Sequence, residues 1–335
     1  VSLDPARAAV RGAVRRSLAD LSGTVLVACS GGADSLALLA ATVFESRDQP
    51  VTVVGVVVDH ALQDDSAALT QRVVAQMVAL GADETASIRV TVDPGPAGVE
   101  AGARQARYAA LAQLAQHFGA ELVLLGHTLD DQAETVLLGL ARGSGGRSLM
   151  GMRRSFREDD EDPRSTLFLR PLLDLTRAQT EAACRADGIE WWTDPHNSDP
   201  RFTRARVRHT VLPVLERELG PGVAQALART ADLLREDVTS LDERAEHLYR
   251  EVLVGDGLET SALDGLDPAT KHRVIRIACL DAGAISSELT REHVLAVAEI
   301  VHRARDGRQI QLPGHVTAYR DGAVLRFRRT GPAEA

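Results

Sequence analysis

Five stretches of this 335-residue chain carry side chains whose types and spacing could do chemistry. Residues 25–35 read VLVACSGGADS: an apolar run stops at Ser30, two glycines follow, and Asp34 and Ser35 close the phrase. A strand that runs into Ser30, Gly31, Gly32 and Ala33 and is followed at once by a helix aims backbone N–H groups at one point. That is an anion site. Gly31 and Gly32 permit a tight turn and close approach of a phosphate, and Ser30 and Ser35 add hydroxyl donors. The spacing is not that of a GxxxxGK[ST] loop, because the lysine position does not exist and Asp34 stands in its place. A phosphate cradle with a carboxylate suits a Mg2+ ion held against a departing pyrophosphate better than it suits transfer of a terminal phosphate. Ser-Gly-Gly alone would be a plain turn; the whole phrase after a buried strand points to the anion.

The second stretch, VVVDHALQ at 56–63, places Asp59 and His60 at another strand end, where they serve as helix-start caps or as nucleotide contacts. Their position beside the first loop favours the contact. The third, GHTLDDQAETVLLGL at 126–140, is the most informative. Gly126 and His127 lead into a helix on which Asp130 and Glu134 are four residues apart, with Asp131 adjacent. Carboxylates are favoured at a helix N-terminus, so a charged cap is the bland reading. A cluster where a sheet presents its substrate is the sharper one. The fourth feature is a pair of acid-free basic runs, 142–157 with five arginines and 201–208 with four. Runs of arginine are commonly solvated faces, but a location beside the expected active site favours local RNA contacts, with Phe202, Trp191 and Trp192 nearby for stacking.

The elements that must position these residues alternate along the chain. Apolar strands at 24–29, 51–59, 87–92 and 121–126 are separated by amphipathic helices at 5–20, 34–46, 65–80, 99–118 and 130–141. Strands apolar on both faces imply a parallel sheet covered on both sides, whose ligands lie beyond the carboxyl ends of its strands. An exposed loop spans the basic run and the acidic EDDED at 158–162. Strand TLFLRPLL and helix LTRAQTEAACRADG then complete the first domain. The expected fold class is α/β, a parallel-sheet domain over 1–215. A smaller, mostly helical domain over 216–335 ends in a β-hairpin signalled by Asp321-Gly322.

Totals set the limits. A net charge of −9 argues against coating nucleic acid with the whole surface. Cys29, Cys184 and Cys279 are far apart and form no CxxC, which disfavours a disulfide framework or a cysteine metal site. Arginine supplies the basic charge, and Lys271 is the one lysine. The first residues carry no apolar signal core, and no apolar run is long enough to span a bilayer, so a cytoplasmic protein with no membrane partner is expected.

Together SGGADS and GHTLDDQAET resemble the tRNA(Ile)-lysidine synthase family of the PP-loop ATP pyrophosphatase superfamily. Further matches are EAGARQARYAAL at 100–111, RGSGGRSLMGM at 142–152, RPLL at 170–173 and DPHNSDPRFTRARVRHTVLPVL at 194–215. SGGxDS identifies only the superfamily; the acidic phrase and the FTRxxxR segment make the resemblance specific. It implies that ATP adenylates the C2 oxygen of the wobble cytidine in the CAU anticodon of tRNA(Ile). Free L-lysine then displaces AMP, which changes the codon read from AUG to AUA. By the same resemblance Ser30 to Ser35, Asp59, His60, Gly126 and His127 hold ATP, and Asp34 with Asp130 holds Mg2+. Arg107 faces the adenylate, Asp130, Asp131 and Glu134 engage the substrate lysine, and Arg204 and Arg208 act on phosphate groups of the tRNA. Asp34, Arg107, His127, Asp131 and Glu134 form the implied catalytic set. Ala205 departs from the asparagine common at that place in the family. A tRNA thiolase, an amidating PP-loop enzyme and a non-catalytic tRNA-binding module are the alternatives, and a homodimer is left open.

Overall fold

The structure, a computed structural model, describes residues 4–19, 21–60, 66–91, 99–143, 145–194, 199–302 and 307–331. Residues 61–63 of the second stretch and 195–198 of the last matching phrase lie outside these. The chain divides into two compact units, residues 1–138 with 151–229, and residues 139–150 with 230–335.

The first unit is built on a six-stranded sheet in the order β3-β2-β1-β4-β6-β5. Its strands are β1 (Gly23–Ala28), β2 (Val51–Asp59), β3 (Glu84–Arg89), β4 (Ala120–Leu125), β5 (Ser155–Arg157) and β6 (Leu167–Leu169). All pairs are parallel except β5 with β6. Helices α1 (Pro5–Leu18), α2 (Ala33–Glu45), α3 (Ser66–Ala79), α4 (Val99–Phe118), α5 (Leu129–Arg142) and α7 (Arg177–Ala186) surround it, with α6 (Gly146–Leu149) belonging to the second unit. Alternation along β1 decides the layers. Val25 and Val27 face a core made with α1, α2, α3 and α7, whereas Leu26 faces one made with α4 and Phe168. Burial on both faces is why these strands read as unbroken apolar runs. Gly55 in β2 is required by this packing, since a Cβ there would sit 2.7 Å from Met77 Sδ on α3.

Three differences from the sequence reading have physical causes. Strand β3 runs over 84–89 rather than 87–92, because it pairs with β2 from Val54↔Glu84 to Asp59↔Arg89. Asp83 also closes the start of this pairing by accepting from Val53 N–H at 2.7 Å. The TLFLRPLL strand shrinks to Leu167–Leu169, and Arg170 and Pro171 leave the ladder. Part of the expected loop, Ser155–Arg157, instead adds to β6 as an antiparallel edge. Three residues are too few to show a period of two.

A chain of short helical pieces follows: α8 (Thr203–Arg206), a π-helical turn (Val207–Val211) and α9 (Leu212–Leu219). Ala133 on α5 packs with Val207 and Leu212, which fixes this segment against the acidic helix. Helix α10 (Val223–Val252) then runs to the second unit. That unit contains α11 (Thr260–Asp264), α12 (Pro268–Asp281) and α13 (Arg291–His302). Its antiparallel sheet has the order β7-β8-β11-β10-β9, comprising β7 (Leu253–Val254), β8 (Gly257–Glu259), β9 (Gln309–Leu312), β10 (Val316–Asp321) and β11 (Val324–Arg329). The Asp321-Gly322 hairpin joins β10 to β11 as expected. Segment 139–150 joins this unit through local contacts, among them Arg147 to Asp242 at 2.9 Å and Arg235 to the Met150 carbonyl. No described helix is long and apolar enough to cross a membrane.

Candidate active site

The anion loop lies between β1 and α2. Gly32 is the N-cap of α2 and no side chain caps that end, so the first-turn N–H groups remain available to a ligand. Ser35 stitches the loop: its hydroxyl donates to Gly32 O at 2.9 Å and accepts from Ser30 N–H at 3.1 Å. Gly31 has φ +82°, and a Cβ there would fall 2.7 Å from Val73 Cγ2. The loop is also held from α7's far side, where Trp192 N–H donates to Gly31 O at 3.0 Å. Gly126, just past β4, explains itself here. A Cβ on it would meet the backbone of Ser35 at 3.0 Å and of Asp34 at 3.1 Å. Gly126→Ala is therefore expected to push the first turn of α2 aside and lower kcat/KM for ATP about tenfold to a hundredfold. Steady-state kinetics with ATP as the varied substrate check this, and an unchanged value would show that the loop tolerates the shift.

Beside the loop, at the start of α5, lies a cluster of acids and arginines. Asp131 accepts from the N–H and hydroxyl of Thr128, at 2.8 and 3.0 Å, so half of it does act as a helix cap. Its other oxygen faces Arg177 and Arg208, each at 3.1 Å. Glu134 is fully buried. Arg208 binds it with Nε at 2.6 Å and Nη2 at 3.0 Å, and Arg204 Nε approaches at 2.8 Å. Arg204 and Arg208 sit four residues apart across the π-helical turn, and both turn inward. Burial pushes the Asp131 carboxyl up, but the guanidinium groups of Arg177 and Arg204 outweigh it and hold the group below the usual carboxylate range.

Asp34, in the first turn of α2, links loop and cluster. Its carboxylate accepts the Thr180 hydroxyl and faces Arg177 Nε at 3.4 Å. Burial raises it to about 6, with Arg177 and the Thr180 bond opposing. Asp130 takes a different part: its Oδ2 accepts the backbone N–H of Arg177 at 2.7 Å, which fixes the start of α7. Among the described residues no three His, Cys, Asp or Glu side chains gather as a metal cage. Asp34, which adjoins the open loop, is a carboxylate that could hold a Mg2+ ion arriving with phosphate, since such an ion needs only one or two carboxylates.

A group of histidines and arginines lies at the ends of β2 and β4. Burial pushes His127 well below the usual imidazole range, with Arg170, Arg107 and Arg104 adding to the effect and Asp131 opposing. It is neutral at pH 7. Burial and Arg107 also lower His60. Nδ1 of His60, Nδ1 of His127 and Nε of Arg107 are buried without a hydrogen-bond partner among the described residues. Such orphans are expensive unless a ligand satisfies them. Arg170 is buried, donates to Tyr108 OH at 3.1 Å and stacks 4.5 Å from the Phe156 ring centre. Asp59 is also buried and pairs with Arg89 at 2.9 Å across the β2–β3 register.

The structure thus brings Asp34, Asp131, Glu134, Arg204 and Arg208 into one cluster, and places Arg107 beside His60 and His127. It spreads the two basic runs. Arg201 and Arg206 are spent on Asp199 and on nearby carbonyls. Arg153 pairs with Asp160 of the acidic run, and Arg154 with Asp174. Trp191 packs against the core, whereas Phe202 is exposed. Ala205, where a side-chain contact was in doubt, is buried. Sequence reasoning missed Arg177, Thr180 and Arg170. The first two look like the opening turn of an ordinary capped helix, and Thr176 and Gln179 do form a capping box there.

A parallel sheet with a glycine turn and an acidic helix at its carboxyl edge defines the PP-loop class of ATP-using enzymes. Residues 11–215 match the family described as PP-loop domain, and residues 258–330 match the TilS substrate binding domain. The chain is 47% identical over 325 residues to the tRNA(Ile)-lysidine synthase of Thermobifida fusca, covering 96% of this chain and 97% of that one. It is 48% identical over 335 residues to that of Salinispora arenicola, covering 98% and 96%. The chain belongs to the tRNA(Ile)-lysidine synthase family. In fold alone it is similar to the U34-tRNA thiolase of Methanococcus maripaludis, with a TM-score of 0.57 at 15% identity over 69% of this chain and 78% of that one.

Proposed function

We propose that this chain makes lysidine at the wobble cytidine of a CAU-anticodon tRNA(Ile), first adenylating the C2 oxygen with ATP and then admitting L-lysine, which displaces AMP. One observation carries the reading: Arg177 reaches Asp34 on the ATP side at 3.4 Å and Asp131 on the amine side at 3.1 Å, so loop and acid pair form one site. A cytidine carbonyl oxygen leaves poorly, whereas adenylate leaves well. The loop N–H groups and Arg107 are set to hold the phosphates, and neutral His127 can donate a hydrogen bond without adding charge. Mg2+, when bound at Asp34, would neutralise charge developing on pyrophosphate. Asp131 and Glu134 offer the negative charge that a lysine ammonium seeks. They are covered by Arg204 and Arg208, for which the phosphates of an RNA are natural competitors. The match of residues 258–330 to a substrate binding domain supports reading the C-terminal part, from residue 216, as the one that docks tRNA. Work on a tRNA is in keeping with a cytoplasmic protein.

Sulfur delivery is poorly served: Cys29, Cys184 and Cys279 are buried, and burial raises each thiol to about 12. Labelled lysine should enter a CAU-anticodon tRNA only with ATP and Mg2+; no incorporation would refute the reading. A pH dependence follows from Asp34. Because its pKa is raised to about 6, the carboxylate is lost as pH falls through that value. Asp131, held low by the arginines beside it, stays ionised over this range. kcat/KM for ATP in tRNA-dependent pyrophosphate exchange should therefore fall about tenfold per unit below pH 6, since this ratio reports free-enzyme groups. A flat profile down to about pH 5 would contradict it.

A further inference from the structure

The first turn of α7 touches every acid of the site. Arg177 presents Nε to Asp34 at 3.4 Å, Nη2 to Asp131 at 3.1 Å and Nη1 to Glu134 at 3.8 Å, one guanidinium nitrogen to each carboxylate. It is fixed from below as well. Asp130 holds its backbone N–H, the Thr176–Gln179 capping box sets the helix start, and Thr180 one turn on binds Asp34. Arg204 and Arg208 come from a different segment and take the close bonds to Glu134. Arg177 is therefore the cation of the cluster that is anchored through its own backbone.

We infer that Arg177 is a positioning residue that acts as the standing counter-ion of the amine pocket, keeping Asp131 and Glu134 partly neutralised so that the bound lysine can shed its side-chain proton. The inference rests on the lysidine reading. The physical need is plain. Carboxylates within about 4–6 Å stabilise an ammonium by one to three pKa units, and the free side chain already titrates near about 10.4. A pocket of uncompensated acids would bind lysine well and hold it protonated. In the transfer step the ammonium loses a proton to solvent. The freed lone pair bonds to C2, the C2–O bond breaks with its electron pair leaving on AMP, and the new C2-bound nitrogen gives up a second proton to solvent. A fixed positive charge against the same carboxylates weakens binding of the ammonium and eases its deprotonation.

The test separates these effects in single-turnover transfer, with tRNA adenylate accumulated before lysine is added. For Arg177→Gln the half-saturating lysine concentration should fall several-fold while the transfer rate falls about tenfold. The thioether analogue of lysine, whose side-chain amine is less basic, should lose less rate than lysine does. Arg177→Lys, which keeps the charge without the fork, should stay within a few-fold of wild type in both constants. Arg177→Met gives the same reading should the glutamine variant be insoluble. Equal rate loss for both amines, or a rise in half-saturating lysine, would overturn the inference and leave Arg177 as scaffolding. Absence of transfer by the wild type would overturn the lysidine reading and this inference with it.

Discussion

Glu134→Ala is expected to abolish lysine transfer and to cost the protein about 3–5 kcal/mol of stability. Glu134 is fully buried, and Arg204, Arg208 and Arg177 converge on it. Removing it leaves guanidinium groups in a poorly solvated place with one acid fewer to share. Breaking one side of a buried ion cluster costs far more than the intact cluster contributes, because the remaining charge stays unpaired. Asp131 cannot take over, since one of its oxygens is committed to Thr128. Urea unfolding measures the first effect and single-turnover transfer the second. A variant as stable as wild type would mean that the arginines relax to solvent, and one that still transfers lysine would remove Glu134 from the amine pocket.

Asp34→Ala should remove AMP formation, by a factor of about 10²–10³ or more, while leaving tRNA affinity within a few-fold. The carboxylate lies in the first turn of α2, beside the open N–H groups of the loop. It is held away from its ordinary pKa by burial, as expected of a group kept for function. Because the fold penalises its ionised form, replacing it should not lower the melting temperature at pH 7. Pyrophosphate exchange, a filter-binding assay and a melt on one preparation separate the outcomes. Equal loss of exchange and tRNA binding would make Asp34 a structural residue.

Much of this site was legible in the sequence, and the reasons are specific. Strand ends in a parallel sheet are where ligands go, so SGGADS and GHTLDD fell on one edge once the strands were placed. The i,i+4 spacing put Asp130 and Glu134 on one face of α5. Spacing does not tell which guanidinium comes to meet them. Arg204 and Arg208 read as an outward RNA face, yet both turn in to Glu134 through a π-helical turn that no local pattern announces. Arg177 was invisible because a threonine followed by a helix is sufficiently explained as a cap. Asp130 was read as a metal or lysine ligand, and the structure gives it the backbone N–H of Arg177. The edge strand β5 and most of the second sheet were missed for a simpler reason: strands of two to four residues are shorter than the pattern that would reveal them.

The central claim is that AMP is placed on the nucleobase before the amine arrives, in a single pocket that spans Ser30 to Glu134. Rapid quench of enzyme mixed with labelled ATP and tRNA(Ile), without lysine, tests it most directly. Label should become attached to the tRNA and should be released as AMP when lysine is added. Label found on lysine, as an aminoacyl adenylate, with none on the tRNA would contradict the account.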